Sequence, residues 1–415
     1  MNFPCMAPVR QRFDRPRLDD IDGAVREQMA RVLPVADLSG KRIAVTAGSR
    51  GIANIAVILR AVVTALREAG AEPFLVPAMG SHGGATAEGQ VSVLAGFGIT
   101  EDFCGAPIVS SMDVETLGRT PGGMPVYLDR NAFGADGIVL VNRIKAHTDF
   151  QGDVESGLCK MAVIGLGKQA QALALHRLGI RGIRDVMREV AREVLGSGRI
   201  ICGLGILENA YDETAHVETL RPHEIEAREP ELLLRSKTMM PRLPVEDIDL
   251  LIVDEMGKNF SGTGMDTNII GRRRIPGEPE PASPRVKYLF VRGLSKATYG
   301  NATGIGLADL TTRRLLDHLN FEATNANVET STFIARAMIP IVFGTDQEAL
   351  HGALRACWGV EPGEARIVHI PNTLELEHVS LSETLLEEVR SRDDLEVLGP
   401  PAPLRFDAAG NLATS

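Results

Sequence analysis

Several absences narrow the reading before any motif is considered. The five cysteines (5, 104, 159, 202, 357) are odd in number and form no CxxC pair, which argues against a disulfide framework or structural zinc site and suits a reducing compartment. No segment is long and apolar enough to cross a bilayer, so no membrane partner is expected. Residues 1–20 carry Pro, Arg and Asp where a signal peptide has an apolar core, and a cytoplasmic location is expected. No long run of one charge sign occurs, and 44 basic against 54 acidic residues leave a net charge of −10. The triple Arg272-Arg273-Arg274 is the one basic cluster, so nucleic acid is not an expected partner.

What remains is 415 residues, 44% apolar and 24% charged, an ordinary globular composition on a chain longer than one core usually organises. Residues 42–47 are apolar and end in Gly48-Ser49-Arg50-Gly51, after which Ile55, Ile58, Leu59, Val62 and Leu66 recur at helical spacing. The unit repeats: a strand at 73–78, the loop Gly80-Ser81-His82-Gly83-Gly84, then a capped helix from Thr86. This alternation predicts an α/β fold with a Rossmann-like parallel sheet. Its loops would sit at the carboxyl edge, beside helix N-termini that favour anions.

A strand at 137–141 leads into the densest stretch of reactive side chains, residues 144–176, with His147, Cys159, Lys160 and His176. Between the two, residues 107–135 break into short strand-like pieces. Helices at 183–194 and 224–239 and a strand at 200–207 follow, and Met240-Pro241-Arg242-Leu243-Pro244 reads as a linker. The expected domains are therefore a cofactor-binding and catalytic domain, 1–243, and a smaller α/β C-terminal domain, 244–415, closing the active-site cleft. In the second, a strand at 248–253 precedes a glycine-rich loop at 257–266, with strands at 288–291, 339–343 and 365–370, helices at 307–319 and 347–357, and a frayed tail over the last fifteen residues.

The run Val45-Thr46-Ala47-Gly48-Ser49-Arg50-Gly51-Ile52 is similar to the opening of short-chain dehydrogenases. Ala47 and Ala53 stand where that family has glycines, and none of the four tyrosines has a lysine four residues on. An NAD(P)-dependent oxidoreductase using the Gly48-Ser49-Arg50-Gly51 loop is the second reading. A non-catalytic binding protein with anion loops is the third.

Taken together, Ser49-Arg50, Gly80-Ser81-His82-Gly83-Gly84-Ala85-Thr86, His147, Ser156-Gly157-Leu158-Cys159-Lys160 and His176 resemble the lactate racemase family, whose members use a nickel-pincer nucleotide. The interval of 16 residues between Lys160 and His176 agrees with that family's pattern. The resemblance implies a racemase or epimerase of a small 2-hydroxy acid, dependent on cofactor-maturation enzymes. It implies covalent cofactor attachment at Lys160, a cofactor contact at Ser49, a nickel ligand at His176, and His82 and His147 as acid and base. Arg50 would bind the substrate carboxylate, joined from the second domain by Lys258 or Arg274. The residue types suit these roles: imidazole completes a set of soft donors around nickel, two histidines exchange protons near neutrality, and a guanidinium grips a carboxylate in a planar fork. Departures are Ala47 in place of an acid, an interval from His147 to Lys160 about three residues longer, and an altered cation after the second-domain glycine loop. They point to a hydroxy acid other than lactate.

Overall fold

The strand–loop–helix alternation builds a main sheet in each of two units, Asp14–Met240 on one side and Met1–Phe13 with Pro241–Ser415 on the other. The computed structural model describes residues 3–33, 37–49 and 51–413. The division falls after Met240, close to the linker, but the chain's start departs from the expected 1–243. Strand β1 (Met6–Gln11) pairs antiparallel with His378–Ser382 and Leu395–Val397. Its partners lie some 370 residues away, and periodicity, being local, carries no trace of them.

Within Asp14–Met240, β2 (Arg42–Ala47), β3 (Glu72–Pro77), β4 (Val114–Arg119), β5 (Pro125–Asp129), β6 (Gly137–Arg143), β7 (Ile200–Glu208) and β8 (Thr214–Leu220) follow in order. The main sheet runs β3-β2-β6-β7-β8, the first four parallel and β8 antiparallel, while β4 and β5 form a separate hairpin. Alternation along β2 buries Ile43, Val45 and Ala47 in one core with Ile58, Leu59, Val62 and Leu66 of the helix Ile55–Glu68. Each of the Ile, Leu and Val side chains stabilises the fold by roughly 1.5–3 kcal/mol. On the other face, Leu158 lies over Gly203 of β7, where any Cβ would come within 2.9 Å of it. The segment bearing Lys160 is thereby pressed on the sheet.

In the other unit, β9 (Asp247–Met256), β10 (Arg285–Leu294), β11 (Leu310–Thr312), β12 (Ile341–Phe343), β13 (Ile367–Ile370), β14 (His378–Ser382) and β15 (Leu395–Val397) join β1 in the order β12-β11-β10-β9-β13-β14-β1-β15. The strands from β12 to β13 are parallel and the others alternate. Two expectations fail here. The helix expected at 307–319 is only Arg313–Asp317, because Leu310 and Thr311 pair with Phe290 and Val291 of β10 and the Thr311 hydroxyl donates to Val291 O at 2.8 Å. The tail is pinned rather than frayed: Leu412 N donates to Asp346 Oδ2 at 2.9 Å and Arg292 Nη2 to Leu412 O at 2.7 Å. Among the described residues, no helix is long and apolar enough to cross a membrane.

Candidate functional site

The loops leaving β2, β3 and β6 rise from neighbouring parallel strands, so Ser49, His82 and His147 share one carboxyl edge. At about 4.8 Å per strand, the β3 and β6 loops stand roughly 10 Å apart, room for a small acid. Arg50, expected at the substrate, lies outside the described residues. Ser49, expected at the cofactor, is hydrogen-bonded through Oγ to His82 Nδ1.

The His82 loop has a firm base. Gly83 takes φ +65°, and a Cβ there would fall 2.5 Å from the Gly89 carbonyl carbon, so only glycine lets the loop fold back on the helix Ala87–Gly96. From that helix, Gln90 Nε2 donates to Gly80 O at 3.0 Å and to His82 O at 3.3 Å. Gln90 Oε1 accepts from Lys168 Nζ at 3.0 Å. Lys168 also donates to Pro77 O at the end of β3 and faces Asp129 at 3.2 Å. Neither charged side chain has exposed surface. Burial pushes the lysine down and the aspartate up, each opposed by its partner's charge. Lys168 holds φ +53°, a conformation that costs a non-glycine residue roughly 1–3 kcal/mol.

The His147 loop is built differently. Lys145 and Ser156 close its base, exchanging backbone bonds of 2.8 and 3.2 Å. Inside, the buried Glu155 accepts His147 N at 2.6 Å, Gly152 N at 3.1 Å and Lys237 Nζ at 2.6 Å. The His147 ring accepts Asp149 N at Nδ1, 3.0 Å away, and places Nε2 2.7 Å from Lys160 Nζ. The longer interval between His147 and Lys160 is thus taken up in a closed loop that still delivers the ring to the lysine. Lys160 Nζ also donates to Ser156 Oγ at 3.3 Å.

Lys160 ends the short helix Leu158–Lys160, whose Cys159 N donates to Glu229 Oε2 at 2.9 Å. Burial raises the Glu229 carboxyl to about 7. A π-turn, Met161–Gly165, follows and then the helix Lys168–His176; such turns recur at functional sites. His176 is half-buried, and its ring is held below the usual histidine value, by burial first and by an ammonium at Lys160 second, with Asp149 opposing. Burial thus favours the neutral ring, the form that binds metals.

At the first loop, Glu208 accepts the Ala53 N–H at 2.6 Å and pairs with Arg143. A dinucleotide pyrophosphate there would meet the chain's own carboxylate, which weighs against the oxidoreductase reading. In the other unit the two candidate cations part company. Lys258 follows β9 at its carboxyl end and donates to Gly262 O at 2.6 Å and Asn327 Oδ1 at 2.7 Å. Arg274 is bound to Asp309, Gly306 O and Ala308 O and lines a cavity with Asp247 and Arg285, at the amino ends of β9 and β10. The ten residues of β9, roughly 30 Å, separate the two levels, so one small acid cannot touch both. Among the described residues, no group of three or more His, Cys, Asp or Glu could hold a metal ion.

Sequence reasoning did not single out Lys168, Asp129, Gln90, Glu155, Lys237, Glu208 or Glu229. Only Lys168 left a signal, a lysine behind the apolar run Met161–Gly165.

The fold and site define an α/β protein of two units with its reactive side chains gathered at the carboxyl edge of a parallel sheet. Residues 40–185 match the family of the lactate racemase N-terminal domain. The structure of the lactate racemase apoprotein from Thermoanaerobacterium thermosaccharolyticum is similar over 87% of this chain and 93% of that one, with a TM-score of 0.52 and 13% identity. That likeness speaks for the fold. A search of curated proteins returned no match. The likeness to the lactate racemases thus rests on residues 40–185 for the N-terminal domain and on the fold for the rest of the chain.

Proposed function

We propose that the chain is a racemase or epimerase of a small 2-hydroxy acid that works with a nickel-pincer nucleotide. The observation that carries the reading is the pairing of Lys160 with His147 at 2.7 Å, with burial favouring the neutral form of the His176 ring. The residues fit the group. A pincer nucleotide brings its own carbon and sulfur donors, so the protein need supply one amine for attachment and one imidazole for nickel. Lys160 and His176 are the residues that would hold it.

When bound, the group supplies a hydride acceptor. The chain's own work is proton transfer and orientation. His82 and His147, on loops from β3 and β6, can reach a substrate from two sides, as inversion of a centre requires. With Nδ1 of His82 engaged by Ser49, Nε2 is the nitrogen that exchanges the substrate hydroxyl proton. Arg50 is proposed to bind the carboxylate.

The test is production in a host that also has the cofactor-maturation enzymes, followed by peptide mass, nickel content and a screen of 2-hydroxy acids for inversion. A nucleotide-sized adduct on the Lys160 peptide with about one nickel per chain supports the reading. An unmodified, nickel-free chain beside a loaded lactate racemase control would overturn it. With turnover in hand, His82→Ala and His147→Ala should each lower kcat about 100- to 10,000-fold.

A further inference from the structure

The bonds around His147 fix where its proton lies. Nδ1 accepts the Asp149 backbone N–H at 3.0 Å, and a backbone N–H can only donate. Nδ1 therefore bears no hydrogen, and the neutral ring carries its proton on Nε2. The atom 2.7 Å from Nε2 is Lys160 Nζ. An ammonium has three donors and no lone pair, so it would set hydrogen against hydrogen. An amine has the lone pair to receive Nε2–H, and keeps a hydrogen for Ser156 Oγ at 3.3 Å.

We propose that His147 holds Lys160 as a neutral amine, a preset nucleophile for an acyl or thiocarboxyl carbon, so that His147 serves in loading the lysine before it serves in catalysis. The inference deepens the function proposed above and rests on it only for the identity of the electrophile. Other titratable groups bear on this pair. Asp149 has its carboxylate 3.8 Å from His147 Nδ1, Glu155 binds the His147 N–H, and the His176 ring lies within the electrostatic reach of Lys160. With Lys160 as an amine, the ammonium contribution at His176 falls away and burial alone favours the neutral ring.

The step balances without an oxidant or reductant. The Lys160 lone pair attacks the thiocarboxyl carbon and the N–C bond forms; the C–O bond breaks, and the hydroxyl leaves with one amine hydrogen as water while sulfur is retained. In the product the nitrogen lone pair is delocalised and no longer accepts Nε2–H. His147 is then released toward the substrate, which sets an order of events: loading first, proton transfer afterwards.

The experiment is trace acylation of the apoprotein with limiting acetic anhydride between about pH 6 and 9, read peptide by peptide, with the exposed Lys41 and Lys296 as references. An ordinary lysine gains reactivity about tenfold per pH unit in this range. Lys160 should instead be nearly level with pH and more than roughly tenfold ahead of Lys296 near pH 7. His147→Ala should return it to the reference slope. His147→Gln, whose amide N–H can replace Nε2–H, should keep part of the advantage, so that loss of fold is not mistaken for loss of the donor. A wild-type Lys160 that rises in step with Lys296, or a level profile that survives His147→Ala, overturns the proposal. Because the readout needs no cofactor, a level profile without a nucleotide adduct sinks the nickel reading alone, and an adduct on a steeply titrating Lys160 sinks this inference alone.

Discussion

The two histidine loops solve one task in opposite ways. His82 is bonded at Nδ1 by a serine hydroxyl and His147 by a backbone N–H. A hydroxyl donates or accepts as required, whereas a backbone N–H only donates. His82 can therefore exchange tautomers, and His147 is fixed as Nε2–H. The supports differ in the reverse sense. Under the adaptable ring lies a Lys168–Asp129 pair with no exposed surface, and under the fixed ring Glu155 leans on a Lys237 side chain that is 31% exposed. A ring whose own bond does not orient it relies on a rigid loop, and a ring already oriented by the backbone tolerates a softer one.

The largest expected effect tests the rigid side. Lys168→Met leaves Asp129 buried without its partner and strips a donor from Pro77 O and Gln90 Oε1. Removing one member of a buried pair costs about 3–5 kcal/mol, to be read as a shift of the urea midpoint at constant m-value. Adding Asp129→Asn, which can still accept the Ala132 N–H that Asp129 caps at 2.9 Å, should recover a good part of the loss. No recovery would mean that the bonds to Pro77 and Gln90, rather than the charge, hold the His82 loop. A loss below about 1 kcal/mol, typical of a surface pair, would remove the rigid side of the comparison altogether.

This contrast also marks where the sequence was legible. His82 and His147 stood out as reactive residues just past apolar strands, and Lys160 and His176 through the spacing of the family pattern they complete. The strands β2, β3, β6, β7 and β9 were readable for the same local reason. The supports were not. Gln90 is one polar residue on an ordinary helix, Asp129 closes a hairpin strand, and Lys237 sits 82 residues from the Glu155 it binds. Each acquires meaning only from a neighbour brought by topology. The first strand and the tail escaped for that reason too, since β1 is completed by β14 and Leu412 by Asp346. The lost helix at 307–319 is a case of pairing with β10 overriding helical spacing.

Glu229 sharpens the comparison, because it is a buried carboxyl on the Lys160 side with no counterpart to the Lys168 ammonium. Its folded value of about 7 lies above the ordinary 4.5, and burial is the main cause. The fold thus favours the protonated form. The associated stability is fully present below about pH 4.5 and is lost as pH rises through about 7, up to about 3 kcal/mol in all. Glu229→Gln imitates the protonated carboxyl, so it should flatten the stability profile across that window and exceed wild type near pH 8. A wild-type profile with no decline between pH 5 and 8 would show that Glu229 does not titrate there.

The smallest effect tests the soft side. Lys237→Met removes one donor from Glu155, which still receives the backbone N–H groups of His147 and Gly152. The lysine is 31% exposed, so water can take its place beside the carboxylate, and the expected cost is about 1 kcal/mol. The His147 ring should keep its orientation, because the Asp149 N–H that fixes it belongs to the loop backbone, and Lys160 should keep its level acylation profile. The measurement is the same urea midpoint with the same peptide readout. A loss matching that of Lys168→Met would mean that Glu155 cannot be rehydrated. Burial of the carboxylate, rather than exposure of its partner, would then set the strength of both supports, and the two loops would be equally rigid for a reason neither lysine reveals.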